Sequence, residues 1–126
     1  MSPAVRSETE RRIREVAERR FKGAYTRLDF RFRGALLYID AYTEPVIPKK
    51  LPEDWPETRA EFEERLRSTP IPLCRLRHYS QDCWSLAMYM YSSEKYETSV
   101  FASGDFWGKA EDGFELAAGF HFSAST

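Results

Sequence analysis

The chain is poor in most of the features from which chemistry can be read. Two cysteines and two histidines among 126 residues offer no Cys-x-x-Cys and no His-x-x-x-His spacing, so a structural zinc site lacks ligands at useful intervals and no metal is expected. Six glycines include no phosphate loop. Ser103-Gly104-Asp105-Phe106-Trp107-Gly108 has neither the terminal Lys-Ser/Thr nor the later glycine pattern, and reads as a glycine-bracketed turn that packs two aromatics. No apolar run approaches the ~20 residues of a membrane span, and Met1-Ser2-Pro3-Ala4-Val5-Arg6 lacks the apolar core of a secretion signal. Nothing here asks for a cofactor. The reading is a cytoplasmic protein with reduced thiols and no membrane association.

The charge balance excludes a further class. Formal net charge is -1, which removes the simplest electrostatic case for nucleic acid. The distribution is uneven: residues 1–33 hold ten Arg/Lys against five Asp/Glu, and residues 34–126 hold nine against fifteen. A basic helix beside acidic neighbours of the same molecule accounts for that split without an external polyanion.

What the chain does have is aromatic content, at 15%, on a 42% hydrophobic background, enough for a packed single domain over 1–126. Its most regular feature is alternation with a period of two, the mark of a half-buried strand. Cys74, Leu76, Trp84, Leu86, Met88 and Met90 fall on one side of a hairpin, and Arg75, Arg77, Ser85, Tyr89 and Tyr91 on the other. With Tyr79–Cys83 as its loop, Cys74 faces Met88, and Cys83 is five residues from that level. At ~3.4 Å per residue that gap is beyond disulfide reach. A second hairpin, Tyr25–Phe32 with Ala35–Thr43, turns at Arg33-Gly34. That turn sets Phe30 opposite Leu37, Leu28 opposite Ile39, Asp29 opposite Tyr38 and Arg27 opposite Asp40.

Helices frame these strands. Ser7 and Glu10 make a capping-box pattern for a helix over about 7–22, with Ile13, Val16, Ala17 and Phe21 on one face. Thr58 and Glu61 repeat the pattern for a helix to about Arg67, with Phe62 and Leu66 facing inward. Between strand and helix, Pro45, Pro48, Pro52 and Pro56 mark 43–57 as an extended surface connection anchored by Trp55. A last helix covers about Ala110–Ala118, and His121 follows it as a packing residue. The fifth strand, Tyr96–Ala102, would put Glu97 on the core face after a short turn at Ser93-Glu94, so a bulge or slip is expected there. The order α-β-β-α-β-β-β-α, without βαβ alternation, specifies an α+β domain with an antiparallel sheet of about five strands and helices packed on one face.

Tyr38-Ile39-Asp40-Ala41-Tyr42, Leu73-Cys74-Arg75-Leu76-Arg77, Trp84-Ser85-Leu86-Ala87 and Val100-Phe101-Ala102-Ser103-Gly104 resemble segments of a group of short uncharacterised bacterial proteins with the same segment order. The resemblance covers about residues 20–120. It implies a standalone bacterial domain and brings no activity and no catalytic residue. The element order is also similar to small secretion-chaperone-like domains, an analogy of fold alone.

Two places carry candidate chemistry. His78, Tyr79, Asp82 and Cys83 lie within six residues, the ingredients of a Cys/His nucleophile. They read better as a packed histidine and a small loop cysteine, because catalytic groups usually converge from distant segments. No catalytic residue is assigned. The other place is the polar sheet face, with Arg75, Arg77, Tyr89, Tyr91, Tyr38, Tyr42 and Asp40 as the candidate contact residues, flanked by Arg27, Asp29 and Arg31. Tyr and Arg are enriched where proteins bind partners, and guanidinium groups fork onto carboxylate or phosphate. The expectation is a non-catalytic binding domain for a protein or a small anionic ligand. The alternatives are a small-molecule enzyme, with Asp40 as base in a polar pocket between sheet and helices, its pKa lowered by a neighbouring arginine, and a structural homodimer joined at a sheet edge or helix stripe.

Overall fold

The computed structural model describes residues 1–123; residues 124–126 of the expected 1–126 domain lie outside it. In chain order the elements are α1 (Pro3–Arg20), β1 (Arg27–Arg33), β2 (Leu36–Tyr42), α2 (Arg59–Ser68), β3 (Ile71–Ser80), β4 (Cys83–Met90), β5 (Lys95–Ser99) and α3 (Ala110–Ser123). The five strands form one antiparallel sheet in the order β1-β2-β3-β4-β5. This is the α+β meander the alternation implies.

The α1 helix starts a turn earlier than its internal Ser7-x-x-Glu10 suggests. Ser2 caps it instead, its hydroxyl accepting from the Val5 amide at 3.2 Å, with Pro3 in the first turn. Proline needs no donor there and its φ is already helical, so Ser2-Pro3 outcompetes the later pattern. Ile13, Val16 and Ala17 are buried, and burial of Ile or Val contributes about 1.5–3 kcal/mol per side chain. Arg6 and Arg14 of α1 lie over the rings of Phe32 and Phe30 of β1, which places α1 on that side of the sheet. The basic excess of this segment is spent locally: Arg11 and Arg12 bond Glu8, Arg14 bonds Glu10, and Arg20 reaches Glu115 of α3.

The α3 helix covers the β3–β4 side. It runs on to Ser123, past the expected end at Ala118, so His121 is inside it and not beyond it. Gly113, a poor helix former, sits where the helix meets the sheet most closely: a Cβ there would lie 2.9 Å from Leu76 Cδ2 and 3.1 Å from Phe101 Cε2. Phe114, Ala117 and Ala118 continue the contact, and the core joins them to Leu37, Ile39, Cys74, Leu76, Trp84 and Leu86.

The β3–β4 register agrees with the alternation: Cys74 faces Met88, Arg75 faces Ala87, and His78 faces Trp84. The β1–β2 hairpin does not. Its turn is Gly34-Ala35, with Gly34 at φ 60°, so Phe30 meets Ile39, Arg31 meets Tyr38, Asp29 meets Asp40 and Arg27 meets Tyr42. Moving the turn by one residue shifts the register by two, which keeps every side chain on its expected face but changes its partner. Between β2 and β3 the register shifts after Ile39, because Leu73 is an extra residue between Pro72, which faces Asp40, and Cys74, which faces Ile39. Leu73 and Cys74 are therefore both buried.

No bulge interrupts β4–β5. The turn between them spans 91–94, Tyr96 pairs with Tyr89, and Glu97 does point to the helix side. An edge strand leaves that side wet, and Glu97 stays exposed and accepts a bond from Ser93 Oγ at 2.8 Å. The strand also ends earlier than expected. Phe101 leaves the ladder to enter the core, and its ring lies so close to Gly108 that a Cβ would meet Phe101 Cδ2 at 2.8 Å. Gly108 is tied to Trp84 by reciprocal backbone bonds of 2.8 and 3.0 Å.

The α2 helix has the full capping box at Thr58 and Glu61, yet none of its residues is buried. Phe62 meets Trp55 at 4.8 Å, so its apolar side faces the proline-rich connection and not the domain core. Arg59 donates to the Pro48 and Lys49 carbonyls, Arg65 to Glu57 and Arg67 to Glu44.

Gly108→Ala should destabilise the fold by about 1–3 kcal/mol, the usual cost of forcing an atom into a packed core. Urea unfolding followed by tryptophan fluorescence measures it. Unchanged stability would mean that Phe101 does not fill the position.

Candidate functional site

With α1 and α3 on one face, the other face of the sheet presents the expected residues. Tyr38, Asp40 and Tyr42 come from β2, Arg75 and Arg77 from β3, and Tyr89 from β4. Tyr91 departs from this set. It lies in the turn after β4, more than half exposed, between Tyr89 (5.2 Å) and His121 of α3 (6.0 Å), at the end of the sheet. Tyr96 of β5 completes the face and was not anticipated there. Its ring meets Tyr89 at 5.2 Å and Tyr38 at 5.6 Å, edge to face, a favourable aromatic geometry. The signal for it was present: a four-residue turn gives Tyr96 the parity of Tyr89.

Arginine covers tyrosine all across this face. Arg27 lies over Tyr42, Arg31 over Tyr38, Arg75 over Tyr96 and Arg77 over Tyr79. Two of the four also have carboxylates: Arg27 with Asp29, and Arg31 with Asp40 at 3.3 Å. The Arg27–Asp40 pair expected from the earlier turn is thus replaced by Arg31–Asp40. Among the described residues Arg75 and Arg77 have no carboxylate partner.

Asp40 is the most buried charge-bearing residue of the face, only 8% exposed, and its Oδ1 has no hydrogen-bond partner. Burial raises its carboxyl above the ordinary range, against the pull of Arg31 and with Asp29 directly opposite adding to the rise. The sign is opposite to that expected from an arginine neighbour, because Arg31 is itself mostly exposed and weakened by solvent. Burial also pushes the Tyr96 hydroxyl up to about 12, with Asp40 contributing. Asp40 lies on the side of the sheet away from α1 and α3, so it does not line a pocket between the sheet and those two helices.

Beside this aromatic row the face is hollow. Arg75 and Arg77 stand opposite Ala87 and Ser85, and these small residues leave a depression of about 300 Å³, bounded also by Leu36, Tyr79 and Thr98. Two unpaired guanidinium groups beside the Ser85 and Thr98 hydroxyls suit a carboxylate or phosphate. The hollow continues into an apolar rim. Tyr79 and Trp107 meet edge to face at 4.8 Å, each about half exposed, and Phe106 is 57% exposed. The glycine-bracketed turn thus displays its two aromatics instead of packing them. Phe101 takes the core position behind it.

The connection over 43–57 does not reach this hollow through any hydrogen bond, ion pair or ring contact among the described residues. With α2 it borders the Arg27–Tyr42 end, where Glu64, Arg67 and Ser68 face Thr26, Arg27 and Tyr42 across a crevice of about 290 Å³.

The hairpin tip does not assemble a Cys/His pair. The His78 ring lies tilted against Trp84 at 4.7 Å, while Cys83 pairs with Ser80 in the ladder. Both thiols are free, and Cys74 is fully buried with its thiol pushed far up by desolvation. Among the described residues no group of His, Cys, Asp and Glu is arranged to hold a metal ion, and no helix is long and apolar enough to cross a membrane.

Two measurements check this geometry. A carboxyl raised on folding binds its proton more tightly in the native state, so its cost to stability appears as pH rises through the folded value and vanishes below the unfolded one. Asp40→Asn should therefore gain most relative to wild type near neutral pH, and the difference in thermal midpoint should shrink on acidification. A gap that widens instead would show that Arg31 outweighs burial. Iodoacetamide at pH 8 should label Cys83 at an ordinary thiol rate and spare Cys74 until denaturant is added. Labelling of Cys74 in the native protein would contradict its burial.

No protein-family model, curated protein or solved structure matches the chain.

Proposed function

We propose that this chain is a non-catalytic binding domain that docks an anionic group of a protein partner in the hollow at Arg75 and Arg77, with Tyr79 and Trp107 as the aromatic contact beside it. The observation that carries the reading is the pair of carboxylate-free arginines bordering a hollow floored by small residues and continuous with exposed Tyr and Trp. Arg, Tyr and Trp are the residues in which interface energy concentrates. Strand positions hold them rigidly, which lowers the entropic cost of binding. Tyr38, Tyr89 and Tyr96 act from behind, since their edge-to-face packing fixes Arg75 in place. Tyr42, Asp40 and Tyr91 do not border the hollow.

The test compares wild type, Arg75→Ala/Arg77→Ala and Arg27→Ala for crosslinked partners in the native host and for titration with phosphate and with a glutamate-rich peptide. The double variant should lose the partner and weaken peptide binding at least about tenfold, which is 1.4 kcal/mol. Its thermal midpoint should barely move, as is usual for surface changes. Arg27→Ala should bind as wild type does. Equal binding by all three proteins would overturn the assignment.

A further inference from the structure

On the opposite side of the molecule a further concavity, of about 340 Å³, opens between the first turns of α1, the tip of the β3–β4 hairpin and the start of α3. This is at the small end of the range for small-molecule pockets. Its apolar wall is Val5, Ala110 and the almost fully buried Trp84, and His78 and Gln81 line it beside the charged groups.

The polar groups around it are unevenly satisfied. One guanidinium, Arg12, serves three carboxylates: Asp82 at 2.9 Å, Glu8 at 3.1 Å and Glu111 at 3.9 Å. Glu8 has additional help from Arg11, whose hydrogen bonds, with those of Arg12, hold its carboxyl down at about 2. Glu111 is left over. Its side chain is only 19% exposed, and 3.9 Å is too long for a hydrogen bond. Its place in the first turn of α3 favours an acid there, but Arg12 gives it no hydrogen bond. Independently, Thr9 is 8% exposed, lines the same cleft and makes no side-chain hydrogen bond among the described residues. The protein leaves that hydroxyl to water or to a ligand in the cleft. The arrangement is therefore a mixed slot, apolar at Val5, Ala110 and Trp84 and polar elsewhere, His78 and Gln81 included, in which Glu111 and Thr9 have no hydrogen-bond donor among the described residues and carboxylates outnumber cations.

We infer that this cleft binds an organic ammonium group carried on a short apolar or aromatic body, with Glu111 and Thr9 receiving its N–H donors and Trp84 and Val5 packing its carbon skeleton. An anion is disfavoured by the carboxylates. A bare metal ion is disfavoured because no described cluster provides its ligands. The site is separate from the Arg75–Arg77 hollow, and neither assignment depends on the other.

The test is an amide and indole N–H titration at pH 7.5 and 150 mM salt with 2-phenylethylammonium, its neutral counterpart 2-phenylethanol and the anion 3-phenylpropanoate. The ammonium should give saturable shifts at Thr9, Ala110 and the Trp84 indole. The alcohol and the anion should bind at least about tenfold more weakly, and Glu111→Gln should cost the ammonium a similar factor at an unchanged thermal midpoint. A parallel titration with Nα-acetyl-lysine amide separates two sources of the ammonium. Tighter binding of the lysine compound assigns it to a protein side chain, and tighter binding of phenylethylammonium to a free amine. Either result upholds the site. Equal binding of alcohol and ammonium, insensitivity to Glu111→Gln, or no saturation by any ammonium up to 10 mM would overturn it. Should Glu111→Gln fail to fold, the alcohol comparison on the wild-type protein decides the question.

Discussion

Two helices must cover five strands, and α1 and α3 lie side by side on the same face of the sheet. The opposite face therefore has to shield its own backbone. Its solution is chemical: tyrosine rings laid edge to face, with an arginine over each of several of them. Such a coat keeps water from the ladder while leaving polar tips outward. The same constraint explains Asp40. A carboxylate opposite another carboxylate and under tyrosines is a poor stabiliser, and it persists on this face with a single exposed arginine as partner.

The interruption of that coat is what gives the molecule a candidate interface. Across β4 the side chains shrink to Ser85 and Ala87 just where Arg75 and Arg77 emerge from β3. The arginines are held by cation–π contact with Tyr96 and Tyr79 and not by acids, so their hydrogen-bonding forks remain available. The Gly108–Trp84 bridge then brings Trp107 alongside Tyr79. A buried ring, Phe101, and two displayed rings, Phe106 and Trp107, come from the same short connection. Core packing and the display of exposed aromatic rings are coupled there.

The helix side uses its acids differently. Arg12 is shared too widely to satisfy every carboxylate near it, and the shortage falls on Glu111 at the mouth of a cleft walled by Trp84. The two faces thus offer opposite electrostatic complements, cationic on the tyrosine face and anionic beside α1. A chain of nearly zero net charge carries both, so the overall charge said little about either.

Much of this was legible from local pattern. The period of two separates the faces even where the β1–β2 pairing differs from the expected one, because a turn moved by one residue shifts pairing by two and preserves parity. The element order, the Cys74–Met88 register and the Thr58–Glu61 capping box follow from contacts close in sequence. What needed the tertiary structure are the choices between neighbours separated by many residues: Arg31 over Arg27 as the partner of Asp40, the extra Leu73 that buries two successive β3 residues, and the display of Trp107 in place of Phe101. Those depend on which side chain fills a shared space first, and packing of that kind is a property of the assembled core, not of any segment.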